Sequence, residues 1–169
     1  MSAVKVIQNI ITGVLGVVIV ALLGIFFIPQ CLGYQPYNIQ TGSMTPKYPV
    51  GSMIYVKSVA FDEIAVGDVI TYHTEGQDGW VITHRVTQID PESQTLVTKG
   101  DANNTEDGTI PYGWVIGKAT KFAVPFLGGR VTDYQNGNGK MITVIGIIAL
   151  MVLSFLLDLV GKRNEEDAL

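Results

Sequence analysis

The apolar positions of this chain are gathered into two unbroken runs near its ends, with short alternating runs between them. The first, IITGVLGVVIVALLGIFFI from Ile10 to Ile28, has 19 residues without a charge. That is close to the ~20 apolar residues a helix needs to cross the hydrocarbon core, so it predicts a membrane span over 10–28. The second, MITVIGIIALMVLSFLL from Met141 to Leu157, has 17 residues bounded by Lys140 and by Asp158, Lys162 and Arg163. It lies at the short end of the spanning range and predicts a second span over 141–157. The first run exceeds the ~7–15 apolar residues of a cleaved secretory signal. The following IPQCLGYQPY offers no small-x-small cleavage site, so the run is expected to be retained. Residues 136–140, NGNGK, read as a flexible hinge into the second span.

Between the two runs the 3.6-residue stripes of amphipathic helices are missing. Short β-branched and aromatic segments alternate with turn residues instead, which predicts an all-β domain over 31–135. The strand candidates are 52–59, 68–74, 79–89, 94–100 and 113–124, rich in Val, Ile, Thr, Tyr and Trp. Turn chemistry separates them at EGQDG (75–79), DPES (90–93) and the long DANNTEDGTIPYG (101–113). The apolar FAVPFLGG (122–129) fits either a last core strand or a patch resting on lipid. The predicted fold is therefore a mainly β domain flanked by N- and C-terminal transmembrane helices.

Charge fixes the expected orientation and removes some partners. Two spans put both termini on one side, and Lys5, Lys162 and Arg163 make that side the cytoplasm by the positive-inside rule. Residues 1–9 and 158–169 are then cytoplasmic and the β domain extracytoplasmic, in a multi-pass protein of the plasma membrane. The net charge is −4, and the eight Lys/Arg between 31 and 140 stand singly among eleven acids. Without a basic face, nucleic acid is not an expected partner. One cysteine, Cys31, and two histidines supply no intramolecular disulfide and no zinc set, so no metal or cofactor is expected.

The candidate chemistry begins with YNIQTGSMTPKYPVGSMIYVK (37–57), about ten residues beyond the first span. In Thr41-Gly42-Ser43-Met44-Thr45-Pro46 a serine is preceded by a glycine that permits close backbone approach. It is followed by a proline that fixes the chain. Further on stand Val66-Gly67-Asp68-Val69-Ile70-Thr71-Tyr72, then Ile82-Thr83-His84-Arg85-Val86, then Thr98-Lys99-Gly100-Asp101-Ala102-Asn103-Asn104-Thr105-Glu106-Asp107.

These four boxes, in this order behind an apolar helix, resemble the signal peptidase I family. The His84-Arg85 pair resembles its histidine-using form, found in the endoplasmic reticulum, in archaea and in some Gram-positive bacteria. The resemblance implies a small β peptidase domain, with Ser43 as nucleophile and His84 as general base. It places the triad acid six residues beyond Asp101, at Asp107, with Asp101 supporting, although the inserted Ala102 keeps both acids in play and Glu106 behind them. It implies an oxyanion hole of the Ser43 N–H and the Thr41 hydroxyl. It also implies substrates that are the signal peptides of secreted preproteins, cut after Ala-x-Ala-like residues at the membrane surface.

The chemistry agrees with those roles. A serine hydroxyl attacks only when a neighbouring base takes its proton. A neutral imidazole can do this and later protonate the leaving amine, and a carboxylate on the other ring nitrogen holds the tautomer. Rival assignments exist within the chain. Gly-Ser-Met recurs at 51–53, but Ser52 lacks the following proline and opens a strand. His73 sits at a strand end beside a turn, and Lys99 reads as a solvated strand residue. A different class of protein, an idle membrane-tethered β-module that binds a partner, would have no use for Ser43, His84 and both acids together.

Overall fold

A computed structural model of the chain describes residues 3–74, 80–131 and 139–166. The described residues divide into a helical unit and a β unit that begins at Leu32. In the helical unit, α1 (Ala3–Phe26) is followed by the short α2 (Ile28–Cys31), and α3 runs from Gly139 to Glu166. Helices α1 and α3 pack on one another, which buries Ile147.

Of the two expected spans, one meets the length requirement. The apolar stretch Asn9–Cys31, 23 residues, is the one helix among the described residues long and apolar enough to cross a membrane. In α3 the apolar stretch is Val144–Leu157, about 21 Å of helix at 1.5 Å per residue, against a hydrocarbon core of about 30 Å. Among the described residues the first expected span thus has a helix of spanning length, and the second is matched by a shorter apolar stretch. The expected hinge falls mostly on 136–138, outside the described residues. Gly139 and Lys140 already belong to α3.

The β unit is a seven-stranded sheet, in the order β1-β2-β7-β3-β4-β5-β6, with every pairing antiparallel. The strands are β1 (Tyr34–Asn38), β2 (Met53–Lys57), β3 (Val69–His73), β4 (Val81–Asp90), β5 (Thr95–Lys99), β6 (Thr109–Pro111) and β7 (Val115–Ala119). Four of the five strand candidates contain a strand at nearly their own bounds. The fifth, 113–124, supplies β7 but stops at Ala119. Beyond it Val124 and Met53 exchange N–H···O bonds of 2.7 and 2.8 Å as an isolated bridge. Segment 122–129 is thus part core and part surface: Ala123 packs against the core, while Phe122 is 60% and Phe126 92% exposed.

Two strands lie outside the candidates. β1 carries Pro36 and pairs with β2 alone, the edge position at which proline is tolerated. β6 has three residues inside what reads as one long loop.

Apolar side chains fill both faces of the sheet. One cluster gathers Ile39, Met44, Tyr48, Ile54, Val56 and Val69. The other gathers Ile64, Ile70, Tyr72, Val86, Leu96 and Ile110. Consecutive β3 residues therefore enter different clusters, Val69 one and Ile70 the other, as the two-residue period of a strand requires. That alternation also decides where the polar residues of β3, β4 and β5 point.

Candidate active site

His84 and Arg85 are neighbours in β4, so their side chains leave opposite faces of the sheet. Ile70 is the cross-strand partner of His84 and Val69 that of Arg85. This places His84 with the Ile70–Tyr72 cluster and Arg85 on the other face. Each basic side chain meets its own acid.

On the first face, His84 is buried, and its Nδ1–H donates to Asp107 Oδ2 at 2.6 Å. The same oxygen accepts from the Thr98 hydroxyl at 2.6 Å and has the Tyr72 phenol 3.4 Å away. Tyr72 OH and Thr98 Oγ1 are themselves 3.2 Å apart. Asp107 lies in the loop between β5 and β6, where its N–H donates to the Thr98 carbonyl at 2.8 Å. Burial pushes the Tyr72 phenol up to about 12, so it stays protonated, and a donor, through neutral pH.

On the opposite face, the Arg85 guanidinium donates from Nε to Asp101 Oδ1 at 2.7 Å and from Nη2 to Oδ2 at 2.6 Å. Its Nη1 donates to the Gly67 carbonyl at 2.8 Å. The paired carboxylate raises the Arg85 pKa further above its ordinary value. Tyr48, whose pKa burial raises, is close enough to feel both charges.

Ser43 sits in a 3-10 turn, Gly42–Met44, that lies against β4. Met44 and Tyr48 anchor this turn in the core, each 1% exposed. Ser43 itself is half-buried, and its carbonyl accepts the Ala102 N–H at 2.8 Å. Gly100 makes this approach possible, since a Cβ there would stand 2.8 Å from the Ser43 carbonyl oxygen. The Thr41 hydroxyl lies 3.3 Å from Ser43 Oγ.

The sequence candidates are therefore sorted by place. The two acids that the spacing left open are separated: Asp107 stands against His84, and Asp101 against Arg85. Glu106 is exposed and accepts from Gln88 Nε2 at 3.2 Å. Ser52 is buried and donates to the Pro49 carbonyl at 2.6 Å. His73 is exposed at the end of β3, and Lys99 pairs across from Arg85. Among the described residues no group of three or more His, Cys, Asp or Glu could hold a metal ion.

Tyr72 and Thr98 stand inside the sequence boxes without a role assigned to them there. The usable signal is a polar residue at an inward strand position. Thr98 shares a face of β5 with the buried Leu96 and is itself 0% exposed, and a buried hydroxyl needs a partner.

Comparison with known proteins identifies the family of the chain. Residues 11–97 match the family model described as signal peptidase, peptidase S26. Signal peptidase I W of Bacillus subtilis is 35% identical over 82 residues, 47% of this chain and 42% of that protein. The rat signal peptidase complex catalytic subunit SEC11C is 29% identical over 128 residues, 67% of this chain and 65% of the relative. The human putative catalytic subunit SEC11B is 27% identical over 131 residues, 69% and 78% of the two chains. The chain thus spans less than two thirds of the length of the Bacillus and rat proteins.

Proposed function

The chain belongs to the signal peptidase family, peptidase S26, and from that footing we propose that it is a membrane-anchored serine endopeptidase that removes signal peptides from secreted preproteins. In this reading Ser43 is the nucleophile, His84 the general base and Asp107 the triad acid. The observation that carries it is the 2.6 Å contact of His84 Nδ1 with Asp107 Oδ2, in a strand against which the Ser43 turn lies.

The steps follow from these groups. His84 Nε2 takes the Ser43 hydroxyl proton as Oγ attacks the scissile carbonyl. Asp107 holds the proton on Nδ1 and stabilises the imidazolium that forms. The oxyanion is met by the Ser43 N–H and the Thr41 hydroxyl. The imidazolium protonates the leaving amine, which departs, and a water activated by the same base hydrolyses the acyl-enzyme. Asp101 acts elsewhere. With Arg85 it steadies the loop whose Ala102 N–H holds the Ser43 carbonyl.

The proposed substrate is a preprotein with small residues such as Ala at the first and third positions before the cut, bound as an extended strand. The apolar helix Asn9–Cys31 is the proposed anchor in the plasma membrane, with the β unit extracytoplasmic.

The test is cleavage of an Ala-x-Ala preprotein by the detergent-solubilised chain, compared with Ser43→Ala, His84→Ala, Asp107→Asn and Asp101→Asn. Cleavage after the second Ala is expected for wild type and not for Ser43→Ala or His84→Ala. Asp107→Asn should lose on the order of 10³–10⁴-fold in kcat, through the wrong tautomer, and more than Asp101→Asn. Equal cleavage by Ser43→Ala, or no cleavage of several such preproteins by wild type, rejects the reading. The chain would then be better described as a tethered binding module.

A further inference from the structure

We propose that Thr98 and Tyr72 are positioning residues for the proposed reaction: Thr98 gives its hydroxyl proton to the Asp107 oxygen that receives His84, and Tyr72 braces Thr98 from behind. The inference rests on the triad reading above and adds the groups that would hold its acid.

Counting protons supports the order. The Thr98 hydroxyl has one proton, and its shortest acceptor is Asp107 Oδ2 at 2.6 Å. Its lone pairs remain free for the Tyr72 phenol, whose oxygen is 3.2 Å from Thr98 Oγ1 and 3.4 Å from Asp107 Oδ2. Both side chains are buried, Thr98 at 0% and Tyr72 at 3% exposure, so water does not compete for these protons. Hydroxyls at such positions cost desolvation unless they are used.

The place of these bonds is more specific than a core polar pair would require. Both hydroxyls approach the one carboxylate oxygen that also accepts from His84. All three partners stand on one face of adjacent strands β3, β4 and β5. Thr98 holds Asp107 twice, since its carbonyl also accepts the Asp107 N–H. With Oδ2 pinned as an acceptor, His84 Nδ1 keeps its hydrogen, and Nε2 is left to take the Ser43 proton. A hydroxyl that served the fold alone could bond anywhere on the loop.

Because neither side chain meets solvent, neither meets substrate. Their loss therefore lowers kcat and leaves KM in place. A charge-assisted hydrogen bond predicts a loss of ~10–100-fold for Thr98→Val, whose carbonyl still holds the loop. Thr98→Ser keeps the hydroxyl and recovers most of the rate. The weaker phenol contact predicts ~2–10-fold for Tyr72→Phe. In the Thr98→Val background Tyr72 is the remaining hydroxyl beside Oδ2, so the two changes are non-additive.

The experiment measures kcat, KM and thermal unfolding of the full-length chain in detergent for these variants and the double variant, alongside wild type and Ser43→Ala. The expected kcat pattern with rescue by Thr98→Ser supports the proposal. Wild-type kcat in Thr98→Val, a change confined to KM, or a loss that Thr98→Ser shares in full overturns it. Should Thr98→Val fail to fold, Tyr72→Phe removes a single oxygen, and an unchanged kcat there overturns the proposal equally. An inactive wild type, or an active Ser43→Ala, rejects the triad reading and this inference with it. An active wild type, a silent Ser43→Ala and an unaffected Thr98→Val reject this inference alone.

Discussion

Arg85 grips Asp101 with two guanidinium nitrogens, at 2.7 and 2.6 Å, and reaches the Gly67 carbonyl with a third at 2.8 Å. One side chain thus ties β4 to the loop before β3 and to the loop that holds Ser43. A lysine can supply the charge but not the planar fork. Because the pair is partly exposed, with Arg85 33% accessible, Arg85→Lys should cost only about 1 kcal/mol of stability. That corresponds to a lowering of Tm by about 4–8 °C. Cleavage should fall several-fold, since the Ala102 N–H would be held less firmly on Ser43. Thermal unfolding and preprotein cleavage check this, and a variant with wild-type Tm and rate would show that the clamp has no effect on the site.

Ser52 sits in the second Gly-Ser-Met, and its buried hydroxyl is engaged by the Pro49 carbonyl at 2.6 Å. Ser52→Ala should leave kcat within about twofold and cost about 1 kcal/mol of stability, the worth of an ordinary hydrogen bond. Ser43→Ala should do the reverse. Parallel rate and unfolding measurements separate the two serines, and a dead Ser52→Ala would move the nucleophile.

Tyr72 sets an alkaline limit. Burial pushes its phenol up to about 12, whereas a phenol in the unfolded chain ionises near 10. Between those values the folded chain holds a proton that the unfolded chain has released, so raising the pH favours unfolding. This contribution is fully present below about pH 10 and is lost as the pH rises through about 12. Burial also raises Tyr37, Tyr48 and Tyr55, so Tyr72→Phe should flatten the slope without abolishing it. Denaturant melts across the alkaline range test this, and superimposable slopes for the two proteins would refute it.

Gly117 is in β7 opposite Thr71, where an added Cβ would overlap the Lys57 carbonyl group. That neighbour is backbone and cannot rotate away. Gly117→Ala must push β2 and β7 apart, at a cost of about 3 kcal/mol. Calorimetry should show the loss, and an unchanged Tm would mean that the sheet yields here without penalty.

The main lines of the molecule were legible in the sequence because they rest on local patterns. A 19-residue run without charge allows little besides an apolar helix. Short β-branched and aromatic segments bounded by turn residues located β2, β3, β4 and β5, because such side chains suit a pleated, buried surface. β1 and β6 escaped: one is an edge strand carrying proline, and the other has three residues, too few for any period to show.

By itself the sequence located the candidate residues: a serine held between glycine and proline, a His-Arg pair in a strand, and two acids six residues apart. It could not decide which acid serves which base, since Asp101 and Asp107 lie in one loop at compatible spacing. Tertiary structure decided it through the pleat. His84 and Arg85 face opposite sides of β4, so each acid lies where the loop delivers it, Asp107 to His84 and Asp101 to Arg85. The Thr98 and Tyr72 contacts are of the same kind, for they exist only once strands far apart in the chain present one face to a single carboxylate oxygen.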